Sequence, residues 1–301
     1  MPASSRVRMK NPLVVVLIVA LLAVGLAVGL SSLWIEEETD ASPERIVSLM
    51  PPVTETLFEI GAGDQLVGRS DWCSHPTEAF SLPQCGSALT PNLEVVVRLQ
   101  PTLILANNSN ATARDDLRGL GHAEFLPWLS AEDMIASTRK LGQLTGHIEE
   151  ANELADELAL ALLKPPPPDG PRVLLVMLPE PGRLEPVSFL RRNSVHGQML
   201  YAAGGRNAVD EDVSGVPEIS MERVIELDPD MIIMVGIRDE VPEAEHAQLM
   251  ADWSRIAPLS AVREKRIGLV SGPHFYGAGR RLLRAVDDLH AEIERLSHEQ
   301  P

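Results

Sequence analysis

A chain of 301 residues is long enough for two domains of ordinary size, and 45% hydrophobic with 23% charged residues is the composition of a packed globular protein. The net charge of −17, only one unit of which falls before Glu44, offers no positive face for phosphate and excludes nucleic acid as the expected partner. An acidic surface suits a basic protein partner or simple solubility.

The chain begins with Arg6, Arg8 and Lys10, then runs without a charge from Leu13 to Leu30, and to Ile35 if the following short residues are included. As helix this is about 27 to 35 Å, enough to cross a bilayer core. The basic residues before it and Glu36 to Glu38 after it place the N-terminus in the cytoplasm and the body on the periplasmic side of the cytoplasmic membrane. The run exceeds a signal h-region of about 7–15 residues, which favours a retained transmembrane anchor over cleavage at Ala27-Val28-Gly29. No cysteine lies near its end to carry a lipid. Residues 1–43 are thus assigned to an anchor or signal segment with a polar linker.

Residues 44–129 read as an α/β lobe. Strands are expected at Arg45–Leu49, Gln65–Ser70, Thr102–Ala106 and Ala123–Trp128, with a helix through Thr56–Ile60 that stops at Gly61 and Gly63. Alternating β and α segments imply a mainly parallel sheet. Over residues 130–170, Ser130 caps a helical pattern in which Met134, Ile135, Leu141, Leu144, Leu154, Leu158 and Leu162 recur at helical spacing. Gly146 bends or breaks it, and Pro165 to Pro168 end it. One long helix is therefore expected to bridge the lobes and to limit their motion to a small hinge.

Residues 171–301 repeat the plan: strands Arg172–Leu178, Asp230–Val235 and Arg266–Ser271, helices His196–Ala203 and Ser220–Leu227, and a last helix Arg281–Leu296. The repetition is literal. Asn92-Leu93-Glu94, Pro101 and a buried strand recur 128 positions on as Ser220-Met221-Glu222, Pro229 and another strand, and Arg45-Ile46-Val47 recurs 127 positions on as Arg172-Val173-Leu174. Two like lobes leave a cleft, where small ligands bind. Cys73 and Cys85, the only cysteines, are either a short-range disulfide or two buried thiols.

Arg45-Ile46-Val47-Ser48-Leu49, Gly61-Ala62-Gly63-Asp64, Leu66-Val67-Gly68-Arg69-Ser70-Asp71, Asn92-Leu93-Glu94, Ala203-Gly204-Gly205-Arg206-Asn207 and Pro229-Asp230 occur in that order. In them the chain resembles the substrate-binding proteins of cobalamin and ferric-siderophore ABC importers, the helical-backbone periplasmic binding proteins, from about Glu44 to Leu296. The resemblance implies two α/β lobes, a metal chelate held between them, most readily cobalamin, and delivery to an ABC permease by a monomeric receptor. It also implies that Glu94 and Glu222 dock onto permease arginines. The local alternative is that Asn92 and Ser220 are N-caps and each glutamate merely complements a helix dipole, worth about 0.3–1 kcal/mol. Recurrence in both lobes favours docking.

Ligands of parallel α/β sheets lie beyond the carboxyl ends of the strands. Of the 11 aromatics, Trp72, Trp128, Phe275 and Tyr276 fall in those loops, a concentration that suits a flat, partly apolar ligand, although any one of them is equally a lobe-edge core residue. By resemblance, Trp72 and His274 occupy ring-contacting positions of cobalamin binders, whereas Ala88 and Val216-Pro217 stand where further tryptophans are expected. His75, His274 and Tyr276 are candidate axial ligands for haem or cobalamin, and Arg191-Arg192 and Arg280-Arg281 candidate partners for ligand carboxylates. A haem or ferric-siderophore receptor is thus the first alternative. A divalent-metal receptor using His75, His122, His196 or His274 is another, although the spacing of the eight histidines shows no converging set and no protein-bound metal or cofactor is expected. A tethered module without transport is a third. Gly61-Ala62-Gly63 follows a helix and is no phosphate loop, and neither a Gly-x-Ser-x-Gly elbow nor a His-Glu-x-x-His is present, so no enzyme activity is expected.

Overall fold

The computed structural model describes residues 45–107 and 111–298. The apolar run Leu13–Ile35 lies outside them, and among the described residues no helix is long and apolar enough to cross a membrane.

The N-terminal lobe contains β1 (Ile46–Ser48), α1 (Pro51–Glu59), β2 (Leu66–Arg69), α2 (Leu93–Arg98), β3 (Leu103–Ala106), α3 (Ala111–Leu120) and β4 (Ala123–Phe125). Its strands form a parallel sheet in the order β2-β1-β3-β4. Two helices follow, α4 (Ala131–Thr145) and α5 (Ile148–Leu162). The C-terminal lobe adds β5 (Arg172–Met177), β6 (Val187–Ser188), α6 (Val195–Ala202), β7 (Arg206–Asn207), β8 (Glu218–Ile219), α7 (Met221–Leu227), β9 (Met231–Gly236), α8 (Glu243–Ser254), α9 (Ser260–Arg263), β10 (Ile267–Ser271) and α10 (Arg281–His298). Its main sheet is parallel in the order β7-β5-β9-β10, and β6 and β8 pair antiparallel beside it. The fold is therefore α/β with parallel sheets.

The two sheets have the same topology, with β5 standing for β1, β7 for β2, β9 for β3 and β10 for β4. The repeat extends to single hydrogen bonds. Arg45 reaches the carbonyls of Leu99 and Gln100 at the end of α2 (2.6 and 3.2 Å), and its backbone N–H donates to Thr102 Oγ1 at 2.9 Å. Arg172 reaches Leu227 and Asp228 at the end of α7 (2.9 and 3.3 Å), and its N–H donates to Asp230 Oδ2 at 2.7 Å. Gln100 and Asp228 both take positive φ, 48° and 38°, which ends each helix just before its proline and turns the last carbonyls toward the arginine.

The bridging segment differs from the expectation of one long helix. It is an antiparallel hairpin of α4 and α5, closed by Arg139 on Asn152 (3.1 Å) and Asp156 (2.7 Å). Gly146 at φ 79° takes the left-handed conformation that terminates α4, and His147 begins α5 at once. Gly142 lets the two helices touch: a Cβ there would lie 2.4 Å from Ala151 Cβ. The break falls at Gly146, where the sequence places a bend or break, but the apolar spacing continues through it, because both helices bury one face in the same core, so the pattern does not show that the chain reverses there.

α4 is tied to the N-terminal lobe by Ser137 on the Pro127 carbonyl (2.7 Å) and by Gln65 on the Thr145 carbonyl (3.0 Å), whereas α5 packs on α6 of the other lobe. One continuous hydrophobic cluster runs from Ile46 and Leu105 through Met134 and Leu158 to Leu175, Ile233 and Leu289. Strand alternation sends Leu174, Val176, Ile232 and Met234 to the opposite face of the second sheet, where they meet Leu249 and Trp253 of α8. Cys73 and Cys85 are both buried free thiols.

Candidate functional site

Loops at the carboxyl ends of β1, β4, β5 and β10 meet around a cavity of about 240 Å³. The N-terminal lobe contributes Pro52, and Trp128 and Leu129 come from the loop that enters α4. The C-terminal lobe contributes the larger share, including Met177, Phe189, Tyr276 and Leu282. Further cavities of about 310 and 490 Å³ share Met177 in their walls, so the hollow extends along the edge of the second sheet. Exposed apolar side chains stand near it: Leu129 and Val216 line the first cavity and Ile237 the third, at 64%, 70% and 59% exposure.

Of the expected ligand-binding residues, Trp128, Phe275 and Tyr276 lie in this one cavity wall. Phe275 is otherwise buried, because the turn Pro273–Tyr276 folds back onto α10. His274 is not in the wall. Its Nε2 lies 2.8 Å from Asp288 Oδ2 of α10 and its ring packs on Phe275, the position of a satisfied structural histidine. Trp72 is 76% exposed in the loop after β2 and lines none of these cavities. His75 lines a separate cavity of about 410 Å³ with Glu55, Glu59, Glu78, Arg280 and Arg281. Burial, and then the Arg281 charge, lower its pKa.

That second cavity adjoins an ion-pair clamp between the lobes. Arg281 Nη1 lies 3.0 Å from both carboxylate oxygens of Glu55 on α1, and Arg280 spans Glu59 (3.1 Å) and Glu157 of α5 (2.7 Å). Burial raises the pKa of Glu55 and Glu59 more than the arginines lower it. The clamp occupies Arg280 and Arg281, two of the four arginines that are candidates for ligand carboxylates.

His196 lines the main cavity but was weighed in the sequence only as one of several metal-ligand candidates. It sits in the first turn of α6, after Ser194, whose hydroxyl accepts from the Gly197 N–H. Its ring lies 4.9 Å from that of Tyr276. Burial pushes its pKa down to about 4 against a hydrogen bond to the Phe275 backbone, so the imidazole is neutral at ordinary pH, and its Nε2 is buried without a partner. Arg191, the one charged residue in the wall, donates to the Val213 carbonyl at 2.9 Å. The sequence signal for this side of the site was weak: Phe189, Leu190 and Val195 read as ordinary core, and only the Ser194 cap marks a helix starting there. Among the described residues no group of three or more His, Cys, Asp or Glu is placed to hold a metal ion.

Glu94 and Glu222 occupy equivalent first turns of α2 and α7, both exposed, with Asn92 Oδ1 accepting from Val95 N (3.2 Å) and Ser220 Oγ from Arg223 N (3.3 Å) as caps. A bond to its own backbone N–H and one to the Ser220 hydroxyl hold the Glu222 carboxyl below the usual range.

Two parallel sheets whose carboxyl ends share a hollow define a two-lobed α/β fold of the ligand-binding class. The chain belongs to the periplasmic binding protein family, whose profile matches residues 46–270. It is 27% identical over 263 residues to a vitamin B12-binding protein of Pectobacterium carotovorum, covering 85% of this chain and 91% of that one. The solved structure of the periplasmic vitamin B12 binding protein of Vibrio cholerae superposes with a TM-score of 0.68 at 21% identity, over 85% of this chain and 99% of that one. The periplasmic haem binding protein of the same organism superposes with 0.67 at 23% identity, over 83% and 98%.

Proposed function

We propose that this protein is an extracytoplasmic receptor that captures a metal chelate, cobalamin first, between its lobes and delivers it to an ABC importer. The observation that carries the reading is the wall of Trp128, Phe275 and Tyr276 at the strand ends of a periplasmic binding protein. A largely apolar wall with aromatic faces favours a broad ring system. Relatives named for vitamin B12 support cobalamin over haem, for which the similar solved structures are an equal guide to fold alone. In this reading Trp72, His75 and His274 do not form the seat of the cavity.

Docking is proposed to run through Glu94 and Glu222, which present equivalent carboxylates on the two lobes. Paired rim charges fix orientation and on-rate. The body is held at the membrane by the N-terminal run or released beside it. Isothermal titration of the chain with cyanocobalamin tests the reading: saturable one-to-one binding at micromolar affinity or better is expected. Absence of heat from folded protein would move the ligand to haem or a ferric siderophore. Glu94→Lys with Glu222→Lys should abolish uptake and leave ligand affinity unchanged; a loss of affinity would remove the docking role.

A further inference from the structure

We infer that the cavity selects its chelate by charge, accepting an uncharged chelate bearing amide or hydroxyl groups and rejecting a polyanionic one. This rests on the receptor reading above. A buried carboxylate or catecholate needs a cation with free donors, since an unpaired charge taken out of water is strongly disfavoured. The cavity has one cation, Arg191, with one Nη already engaged by the Val213 carbonyl. The titratable rings of the wall add no positive charge: burial pushes the His196 pKa down to about 4 and raises that of the Tyr276 phenol, so both are neutral at ordinary pH.

The neighbouring arginines are spent inside the protein. Arg192 is paired with Asp210 and Asp212 at 2.6 and 2.8 Å, Arg238 with Glu245, Arg280 with Glu59 and Glu157, and Arg281 with Glu55. Arg69 is buried and donates to the carbonyl of Ser70 at 2.9 Å. The adjoining cavity carries Glu180, Glu185 and Glu218 against Arg183 alone, which itself lies 3.8 Å from Glu180. A chain charge of −17 adds a long-range field of the same sign. A ligand whose periphery is amide and hydroxyl meets none of these penalties and can use the open donors of Arg191.

The test is equilibrium dialysis of the full-length protein at pH 7.5 with matched probes. One pair is cyanocobalamin and its derivative with three side-chain amides hydrolysed to carboxylates; the other is neutral ferrichrome and trianionic iron(III) tris-catecholate. In any pair that binds, the uncharged member is expected to bind at least tenfold more tightly, and Val216→Lys, a substitution at an exposed position of the wall, to narrow that gap severalfold. Equal or tighter binding of the anionic member, or a gap that Val216→Lys leaves unchanged, would overturn charge selection while leaving the receptor reading intact. Failure of all four probes to bind, with haem bound instead, would overturn charge selection, because haem carries two carboxylates, and leave the receptor reading standing; failure of haem as well would remove both.

Discussion

His196 is a base kept neutral by its surroundings, and that has a price in acid. Its folded pKa of about 4 lies below the ordinary 6.5, so the unfolded chain binds the proton first. The stability that the neutral ring contributes is complete above pH 6.5 and is lost as pH falls toward 4. Between pH 7 and 5 the loss amounts to about 2 kcal/mol. His196→Gln should flatten this part of the profile, measured as urea midpoints at the two pH values; an unchanged slope would assign it to other groups. The repeated arginines give a second residue-scale expectation. Arg172 is half-buried and Arg45 exposed, so Arg172→Met, which strands the carbonyls of Leu227 and Asp228, should cost about 1–3 kcal/mol and Arg45→Met less. Equal costs in denaturant titrations would mean that burial does not set the strength of this contact.

The α4–α5 hairpin depends on backbone proximity. Gly142→Val would force a side chain into Ala151 and spread the helices, at about 1–3 kcal/mol, whereas Gly146→Ala meets no neighbour and suffers only the left-handed φ, at about 1 kcal/mol. Thermal melts of the two variants check that order. Elements of this kind show what the sequence makes legible. The main strands and α2, α7 and α10 announce themselves through apolar runs, caps and prolines, and the 128-residue repeat exposes the lobe plan. α8 escapes because its polar sequence buries only Leu249, Asp252 and Trp253, too few for a period to stand out. β6 and β8 are two residues each and take their form from each other. The site is legible only as a set of loops: which aromatic faces inward is decided by long-range partners such as Asp288, which draws His274 away, and no local pattern reports them.

Across the whole molecule, the lobes share one core and a charged clamp, which together resist wide opening. Arg281→Met would leave the Glu55 carboxylate, 8% exposed, without its cation and should cost about 3–5 kcal/mol. Adding Glu55→Gln should recover part of that loss, and a double variant no more stable than the single one would show that the pair contributes little. The radius of gyration in solution should change little when ligand binds, because hinge motion must shear the cluster that contains Leu158 and Leu175. The arginine that seals the end of α2, and its twin on α7, then acquires a mechanical meaning. Each short helix is fastened at its far end to the first strand of its own sheet, so a pull on its outer tip is not absorbed by local bending. Such a helix is a handle bolted to a beam: the strand that each arginine fastens runs from the helix carrying Glu94 or Glu222 toward the cavity, where Pro52 just past β1 and Met177 at the end of β5 both stand in the wall.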